Sequence, residues 1–201
     1  MTTVTKTNRG RPRTELRDAI YQAALTLFRE RGFARTSVDD VVAAAGVAKG
    51  TFFNFFPSKL DVMKAYYATI DVEVADCRER MDPAAPLAAL RAYAAEVEAI
   101  LLREGDLMLE LLQLILADAD MRRIDEDSGA ADADGFAAYL VNIQAMGRIS
   151  ASVDPVRTST ALVDLWAGAV RGWLAHPVAG ALPEQFGWRV DLLFNGMGYR
   201  Q

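Results

Sequence analysis

The sequence predicts an all-α protein of about nine helices, and three observations support that prediction. Apolar residues recur at intervals of three and four along most of the chain. No alternating run of β-branched residues and no Asn-Gly hairpin signal competes with that pattern. The 201 residues are 52% hydrophobic and 24% charged, a composition that can bury a large core beneath a charged surface.

Three helices are predicted in the first quarter of the chain, each ended by a glycine or a proline. Their expected bounds are about 16–28 before Gly32, 38–45 before Gly46, and 49–56 before Pro57. Thr36 and Ser37 are both candidate N-caps of the second helix, because a hydroxyl there can accept from a free backbone N–H. Asp39 and Asp40 stand in the capping-box position for each of them.

Six further helices are predicted in the rest of the chain. The expected segments are 63–81, 87–101, 107–117, 136–146, 155–175 and 183–199. The third of these is apolar nearly all round, which predicts a central position in the fold. Glu110 and Gln113 interrupt it, so each faces either a ligand or solvent. The stretch from Asp118 to Gly135 is polar and acidic with two glycines, which predicts a loop.

Charge is divided unevenly along the chain. Residues 1–64 hold 11 Lys and Arg against 6 Asp and Glu, whereas the rest of the chain is strongly acidic and brings the formal net charge to −5. A basic N-terminal segment beside an acidic remainder indicates that this segment meets a polyanion. Uneven solvation of the surface is the alternative, and charge alone does not decide between the two.

Single copies of cysteine and histidine exclude several classes of site. Cys77 cannot form a disulfide within the chain or a cysteine-based zinc site, and it is expected to be a core residue. His176 cannot form a histidine cluster, and it is expected to cap a helix. We therefore expect no metal and no cofactor. No long apolar run and no secretion signal is visible, which favours a cytoplasmic protein without a membrane partner.

Two short helices around a glycine-centred turn form the layout of a helix-turn-helix, whose second helix lies in the major groove of DNA. Lys49 is expected to donate to guanine or to a phosphate, and Gly50 lets the backbone approach the DNA. Thr51 offers a hydroxyl near the positive end of the helix dipole. Asn54, one turn further on, could contact adenine, and Lys59 could hold a phosphate as a point charge.

The motifs of this segment fall in a familiar register. They are Gly32-Phe33, Thr36-Ser37-Val38-Asp39-Asp40-Val41, Ala45-Gly46-Val47, Lys49-Gly50-Thr51-Phe52 and Phe56-Pro57-Ser58-Lys59. On these motifs, residues 14–64 resemble the DNA-binding domain of the TetR family of bacterial one-component transcriptional regulators. About a quarter of the chain carries the resemblance, and the rest agrees in length and helical character.

Two aromatic residues depart from the family pattern. The family commonly has tyrosine at the position of Phe53, and tyrosine or histidine at that of Phe55. The resemblance implies a DNA contact at both positions, but neither ring can donate a hydrogen bond. Phe53 can still contact a thymine methyl group. Phe52 and Phe56 are expected to be buried in the core.

The resemblance also implies a division of the chain. Residues 1–13 would form a basic arm, 14–60 the helix-turn-helix domain, and 61–201 a helical domain for ligand sensing and dimerisation. Arg9 and Arg11 of the arm would enter the minor groove, with a solubilising tail as the alternative. The N-caps Thr36 and Ser37 would also touch phosphates.

By the same resemblance, the protein is a homodimer through its last two helices. It would bind a near-palindromic DNA operator, repress transcription, and be released by a small, mostly hydrophobic effector. Apolar side chains with a few polar tips suit such a ligand, and ordinary core packing is the alternative for each. The candidate ligand-binding residues are Tyr66, Met108, Leu112, Phe136, Tyr139, Ile143 and Trp166.

Two other classes of protein compete with a regulator. An enzyme would need a catalytic set, but the sequence shows no nucleophile elbow, phosphate-binding loop or metal constellation, so we do not expect one. A helical adaptor would bind protein through the apolar C-terminal helices, without sequence-specific DNA binding. The basic N-terminal segment and the register of the short helices favour the regulator.

Overall fold

The computed structural model describes residues 12–175 and 181–197, and helices account for most of both ranges. In order, the helices are α1 (Arg13–Arg31), α2 (Val38–Ala45), α3 (Lys49–Phe55), α4 (Lys59–Glu79), α5 (Pro86–Glu104), α6 (Asp106–Ala117), α7 (Ala119–Ala145), α8 (Pro155–Ala175) and α9 (Leu182–Gly196). Neither range contains a strand, which confirms the all-α prediction for the described residues. Arg9, Arg11 and His176 lie outside them.

The second helix begins with a complete capping box. Ser37 Oγ accepts from the backbone N–H of Asp40 at 3.1 Å, and the Asp40 carboxylate accepts from the N–H of Ser37 at 2.9 Å. The Ser37 hydroxyl also donates to the Asp40 carboxylate at 2.5 Å, and the two hydrogen bonds that this carboxylate accepts hold the pKa of Asp40 below its ordinary value. Gly46 ends the helix in the left-handed conformation, with φ +66°. Both ends of α2 are therefore determined by residues that flank the helix in sequence.

Thr36, the other candidate N-cap, has a different role, so that interpretation is corrected. Its side chain is buried, and its hydroxyl donates to the carbonyl of Gly32 at 2.9 Å and to that of Leu27 at 3.3 Å. The hydroxyl thus ties the start of α2 back to the end of α1. Only one residue can occupy the N-cap of a helix, and here it is Ser37.

Helices α1, α2 and α3 pack together into a unit that we call the head. Its core contains Phe52 and Phe56, which are buried as predicted. Phe28 of α1 contacts Phe33 edge to face, with ring centroids 5.1 Å apart. Helix α4 packs against α1 and continues out of the head.

Helices α5 to α9 form the rest of the structure, which we call the body. Helix α7 packs against α8, α8 against α9, and α9 against α5. One aromatic residue from each of these helices meets the next in a chain of rings. Tyr93 lies 5.7 Å from Phe136 and 4.9 Å from Trp166, and Trp166 lies 5.0 Å from Phe186. These rings mark the core of the body.

The loop predicted between Asp118 and Gly135 is wrong, because this stretch belongs to the 27-residue helix α7. Asp118 caps the helix by accepting from the backbone N–H groups of Asp120 and Met121 at 2.9 and 3.0 Å. The first half of α7 lacks an apolar stripe because it pairs with α4 through polar side chains. Its partners are thus distant in sequence, and local periodicity does not reveal them.

Helix α6 is less central than its composition suggested. Leu107, Met108 and Leu111 are buried, but Leu109 and Leu116 are exposed. The helix packs one face against α7 and α5, and near its start it also contacts α1. The apolar composition predicted that every face of α6 would be buried, but the structure buries only one face of this helix.

Among the described helices, none combines the length and apolar character that crossing a bilayer would require. Within the same residues, no group of three His, Cys, Asp or Glu side chains is arranged to hold a metal ion.

Candidate nucleic-acid interface and its link to the body

Helix α3 presents most of the predicted DNA contacts to solvent. Lys49, Gly50 and Asn54 are exposed, and Thr51 is half-buried. Phe53 keeps 45% of its surface exposed, although Phe52 beside it is in the core. A Cβ at Gly50 would meet nothing within 4 Å, so the surface there is open. The face has the shape that a recognition helix needs, and the individual contacts stay predictions.

Lys49 is held by an ion pair that can be exchanged. Its ammonium lies 2.7 Å from the Asp39 carboxylate, and both side chains are more than half exposed. Exposed pairs contribute little because water screens them and both side chains lose freedom. A phosphate or a guanine could therefore replace Asp39 as the partner of Lys49.

Two arginines of α1 lie beside α3; sequence reasoning placed Arg13 in the basic arm and counted Arg17 only toward net charge. The Arg13 guanidinium is 5.5 Å from the ring centroid of Phe55, and the Arg17 guanidinium is 5.2 Å from that of Phe56. Half-buried Phe55 thus packs beneath a cation. The helical position of Arg13 and Arg17, four residues apart, was the signal that could have placed them on one face.

Lys59 binds backbone carbonyls that lie between α1 and α2. Its ammonium donates to the carbonyls of Phe33 at 2.7 Å, Thr36 at 2.9 Å and Ala34 at 3.4 Å, which matches the three donors of an ammonium. Burial lowers its pKa, and the nearby carboxylate of Glu110 opposes that shift. Lys59 therefore stabilises the turn between α1 and α2, and its contact with a phosphate stays a prediction.

The same turn opens onto a cleft of about 430 Å³ beside α3. Ser37, Phe53 and Lys59 line it together with Arg35. With Thr36, which also lines the cleft, the fold brings four of the predicted contact residues to one place, although they come from different helices or helix starts. Arg35 adds a cation that the sequence interpretation had not assigned.

A carboxylate from α6 reaches the same turn from the opposite side. Glu110 Oε2 accepts from the backbone N–H of Phe33 at 2.6 Å. Gly32 has φ +86°, and a Cβ there would lie 2.8 Å from Glu110 Oε1. The sequence left open whether Glu110 faces a ligand or solvent. The structure shows instead that its carboxylate binds the backbone of the turn and so connects the body to the head. Gln113 is exposed.

A second link lies where α1, α4 and α5 meet. The buried carboxylate of Glu104 accepts from Arg29 at 2.8 Å, from Arg103 at 2.9 Å and from the Tyr66 hydroxyl at 3.0 Å. Burial alone would raise the pKa of Glu104, but these hydrogen bonds outweigh it and hold the pKa below its ordinary value. Burial and the same carboxylate raise the pKa of Tyr66.

The seven candidate ligand-binding residues are all buried or half-buried. Phe136 and Trp166 meet around Tyr93, as described above. The hydroxyl of Tyr139 donates to the carbonyl of Asp82 at 3.0 Å. Ile143 follows Tyr139 on the buried face of α7, Met108 and Leu112 lie on α6, and Tyr66 lies on α4. Contact with a ligand stays a prediction for each of them.

Tyr93 was missed by the sequence interpretation. It is fully buried, and its hydroxyl has no hydrogen-bond partner among the described residues. An unsatisfied buried hydroxyl costs about 1–3 kcal/mol. Its spacing from Leu90 and Val97 placed it on the apolar face of α5, which was the available signal.

The outer face of α9 carries exposed apolar side chains. Trp188 is 53% exposed and Leu192, one turn further, is 64% exposed. Val156 near the start of α8 is 68% exposed. Large apolar side chains that share an exposed helix face are typical of an interface.

A helix-turn-helix head joined to a helical body is the architecture of a transcriptional regulator. Residues 20–66 match the family model for bacterial regulatory proteins of the tetR family. The head therefore has the DNA-binding domain of the TetR family, and the chain as a whole is similar to TetR-family regulators.

Curated relatives cover most of the chain at modest identity. The HTH-type transcriptional regulator TtgR of Pseudomonas putida is 25% identical over 186 residues, which are 81% of this chain and 82% of that protein. The transcriptional regulator AcuR of Cereibacter sphaeroides is 27% identical over 188 residues, 82% and 81% of the two chains. The similarity therefore extends through the body as well as the head.

Among solved structures, FadR of Thermus thermophilus is similar with a TM-score of 0.67 and 28% identity, covering 92% of this chain and 96% of that one. That protein is a TetR-family transcriptional repressor in complex with lauroyl-CoA. The SmeT repressor of Stenotrophomonas maltophilia has a TM-score of 0.67 at 21% identity, covering 90% and 89%, and shows the fold alone.

Proposed function

We propose that the protein represses transcription by binding a near-palindromic operator as a dimer, and that a small, mostly hydrophobic ligand releases it. The observation that carries this proposal is the exposed face of α3 on a head tied to the body through Glu110 and Glu104. The similar FadR supports it, because that repressor is in complex with an acyl-CoA.

We propose the division of the chain that the sequence predicted, with an arm over 1–13, a head domain over 14–60 and a sensing and dimerising domain over 61–201, although α1 already begins at Arg13. The boundary at 60 falls in the first turn of α4. A continuous helix across the boundary supports mechanical coupling, because a rigid helix carries displacement along its length.

Dimerisation is proposed through α8 and α9. Trp188, Leu192 and Val156 give these helices an exposed apolar surface that a second copy would cover. A two-fold dimer would present two copies of α3 at a separation of about 34–36 Å, one turn of DNA.

Release requires a ligand that binds one state of the body better than the other. The proposed ligand moves α5 and α6 relative to α1. Glu104 and Glu110 then shift the turn before α2, and the two α3 helices no longer fit one face of the DNA. About 2.7 kcal/mol of differential affinity would release the operator about a hundredfold.

A promoter reporter tests repression directly. The DNA upstream of the protein's own gene would drive the reporter, with and without the protein. Repression predicts lower output when the protein is present, and Lys49→Ala with Asn54→Ala should restore it. Higher output in the presence of the protein would identify an activator instead. Unchanged output together with unchanged DNA affinity of the double variant would refute DNA binding through α3.

A further inference from the structure

Helices α4 and α7 face each other through a ladder of polar pairs. From the start of α4 toward its end, the pairs are Lys64 with Asp120, Tyr67 with Asp125, Asp71 with Ser128, and Arg78 with Asp132. Both members of each pair advance together in sequence, so the two helices run parallel. The last pair is the most deeply placed, with side chains only 11% and 15% exposed.

The guanidinium of Arg78 sits in a nearly closed site made by one turn of α7. It pairs with the Asp132 carboxylate and lies 5.8 Å from the ring centroid of Phe136. It also packs on the backbone of Gly135, where an added Cβ would collide with it. A carboxylate, an aromatic face and a glycine thus form a receptor for a flat cation, and the chain's own arginine occupies it.

Tyr93 borders this receptor from α5. Its ring packs edge to face on Phe136, and its hydroxyl is buried without a hydrogen-bond partner among the described residues. Burial raises the pKa of Tyr93, Asp132 raises it further, and Arg78 opposes that effect. The structure therefore contains a fully buried polar atom next to a cation site, with no partner of its own to satisfy it.

Negative charge exceeds positive charge around the site. Asp132 pairs with the one guanidinium of Arg78, and Asp71 and Asp125 lie further along the ladder, where they pair with hydroxyl groups. Burial raises the pKa of Asp132, and Asp71 and Asp125 raise it further, against the opposing effect of Arg78. An added anion would increase this imbalance, whereas an added cation would reduce it.

A cleft between α4 and α5 adds an acidic surface on another face of α4. It measures about 390 Å³ and is lined by Glu73, Asp76 and Glu96 against the single cation Arg80. Cys77, the residue before Arg78, lies in its wall. A cation approaching this side of α4 meets a favourable potential.

We propose that Asp132, Phe136 and Tyr93 form the binding site for the cationic end of a lipophilic ammonium or amidinium effector, which displaces Arg78. The Tyr93 oxygen would accept a hydrogen bond from the ligand, and the apolar part of the ligand would lie along Trp166. This inference rests on the proposed function, since it specifies the class of ligand that the body senses.

Displacement of Arg78 also links the ligand to the head. Arg78 belongs to the last turn of α4, and its pair with Asp132 joins α4 to α7. A cation that takes over Asp132 removes this join and frees the end of α4, while the long arginine side chain can reach solvent. Because α4 packs against α1, the change reaches the head without any contact between ligand and DNA.

Isothermal titration calorimetry of the full chain with three probes of one shape tests the charge of the site. The probes are 2-naphthylmethylammonium, 2-naphthylmethanol and 2-naphthoate. The ammonium should bind most tightly and the carboxylate most weakly. Asp132→Asn should abolish the preference for the ammonium over the alcohol, a loss of about thirtyfold. Asp134→Asn, an exposed carboxylate on the same helix, should leave the preference unchanged.

Two more variants distinguish a displaced arginine from a ligand-binding one. Arg78→Gln should tighten binding of the ammonium, because it removes the arginine that competes for Asp132. If Arg78 instead bound an anionic ligand, the same variant would weaken binding of the naphthoate. Tyr93→Phe should weaken ammonium binding while leaving thermal stability equal or higher, because it removes a hydroxyl without a partner. This variant stays informative if Arg78→Gln does not fold.

The outcomes separate this inference from the proposed function. Equal binding of ammonium and naphthoate, tighter binding of naphthoate, or no heat with the ammonium would overturn the cation site even if the protein binds its operator. Conversely, charge-selective binding lost in Asp132→Asn would support the site even if operator binding fails. Release of operator DNA by the ammonium but not by the alcohol would support both.

Discussion

Individual residues at the turn between α1 and α2 determine how the head is held. Gly32 provides a backbone conformation and a space that no other residue provides, Lys59 binds three carbonyls of the turn, and Glu110 binds one of its N–H groups. The turn is therefore fixed by one cation and one anion from different parts of the chain. Each of the three residues can be tested by itself.

Gly32→Ala should destabilise the protein more than Gly46→Ala does. Gly46 is left-handed, so alanine there costs about 1–2 kcal/mol. Gly32 has φ +86° and ψ +151°, a backbone conformation that is essentially restricted to glycine, so alanine costs more there. Only at Gly32 would the new Cβ also collide with Glu110, whereas Gly46 has nothing within 4 Å. Urea unfolding of the two variants measures the difference, and equal free energies of unfolding would contradict both arguments.

At the residue scale, the sequence predicted correctly those features that depend on residues close together in the chain. The sequence placed α2 over 38–45, in agreement with the structure, because Ser37 and Gly46 define its ends through their own backbone and side chains. The burial of Phe52 and Phe56 was likewise predictable from spacing. The role of Glu110 was not, because its partner Phe33 lies 77 residues away in sequence.

At the scale of elements, α6 is the part of the body that contacts the turn of the head. Glu110→Ala should leave the affinity of the effector for the body within about twofold, but reduce release of the operator by the effector about tenfold. Gln113→Ala, an exposed neighbour on the same helix, is the matched control. Operator anisotropy with and without a saturating effector gives the coupling. Full coupling in Glu110→Ala would exclude this route.

The junction of α1, α4 and α5 should respond to acid. Since the pKa of Glu104 is lowered in the folded protein, its contribution to stability is present above the ordinary glutamate pKa and is lost as the pH falls through the folded-state value. Thermal unfolding of the native protein and Glu104→Gln should therefore differ near pH 7 and converge below about pH 4. A constant difference across this range would contradict the role of the carboxylate.

Element-scale prediction failed at α7 for a physical reason. A helix is recognised in sequence by its apolar stripe, but the first half of α7 packs through Asp125, Ser128 and Asp132 against α4. Its composition is that of a solvated loop because its partners are polar. The same pairing that hid the helix also forms the proposed cation site.

At the scale of the whole molecule, the proposed dimer would turn one weak contact with DNA into two contacts of fixed spacing. Leu192→Glu should reduce dimerisation by placing a charge in the proposed α8–α9 interface. Leu116→Glu changes a still more exposed leucine on α6 and should leave the oligomeric state unchanged. Sedimentation velocity of both variants decides the point. Dimers that persist in Leu192→Glu and dissociate in Leu116→Glu would move the interface to α6.

Fluorescence anisotropy with labelled DNA from upstream of the protein's own gene, against scrambled DNA and across a salt series, tests the central claim most directly. The account predicts tight binding to the native sequence alone. It also predicts a log–log salt slope that corresponds to several phosphate contacts. Weak binding that ignores sequence would contradict the assignment of α3 as a recognition helix.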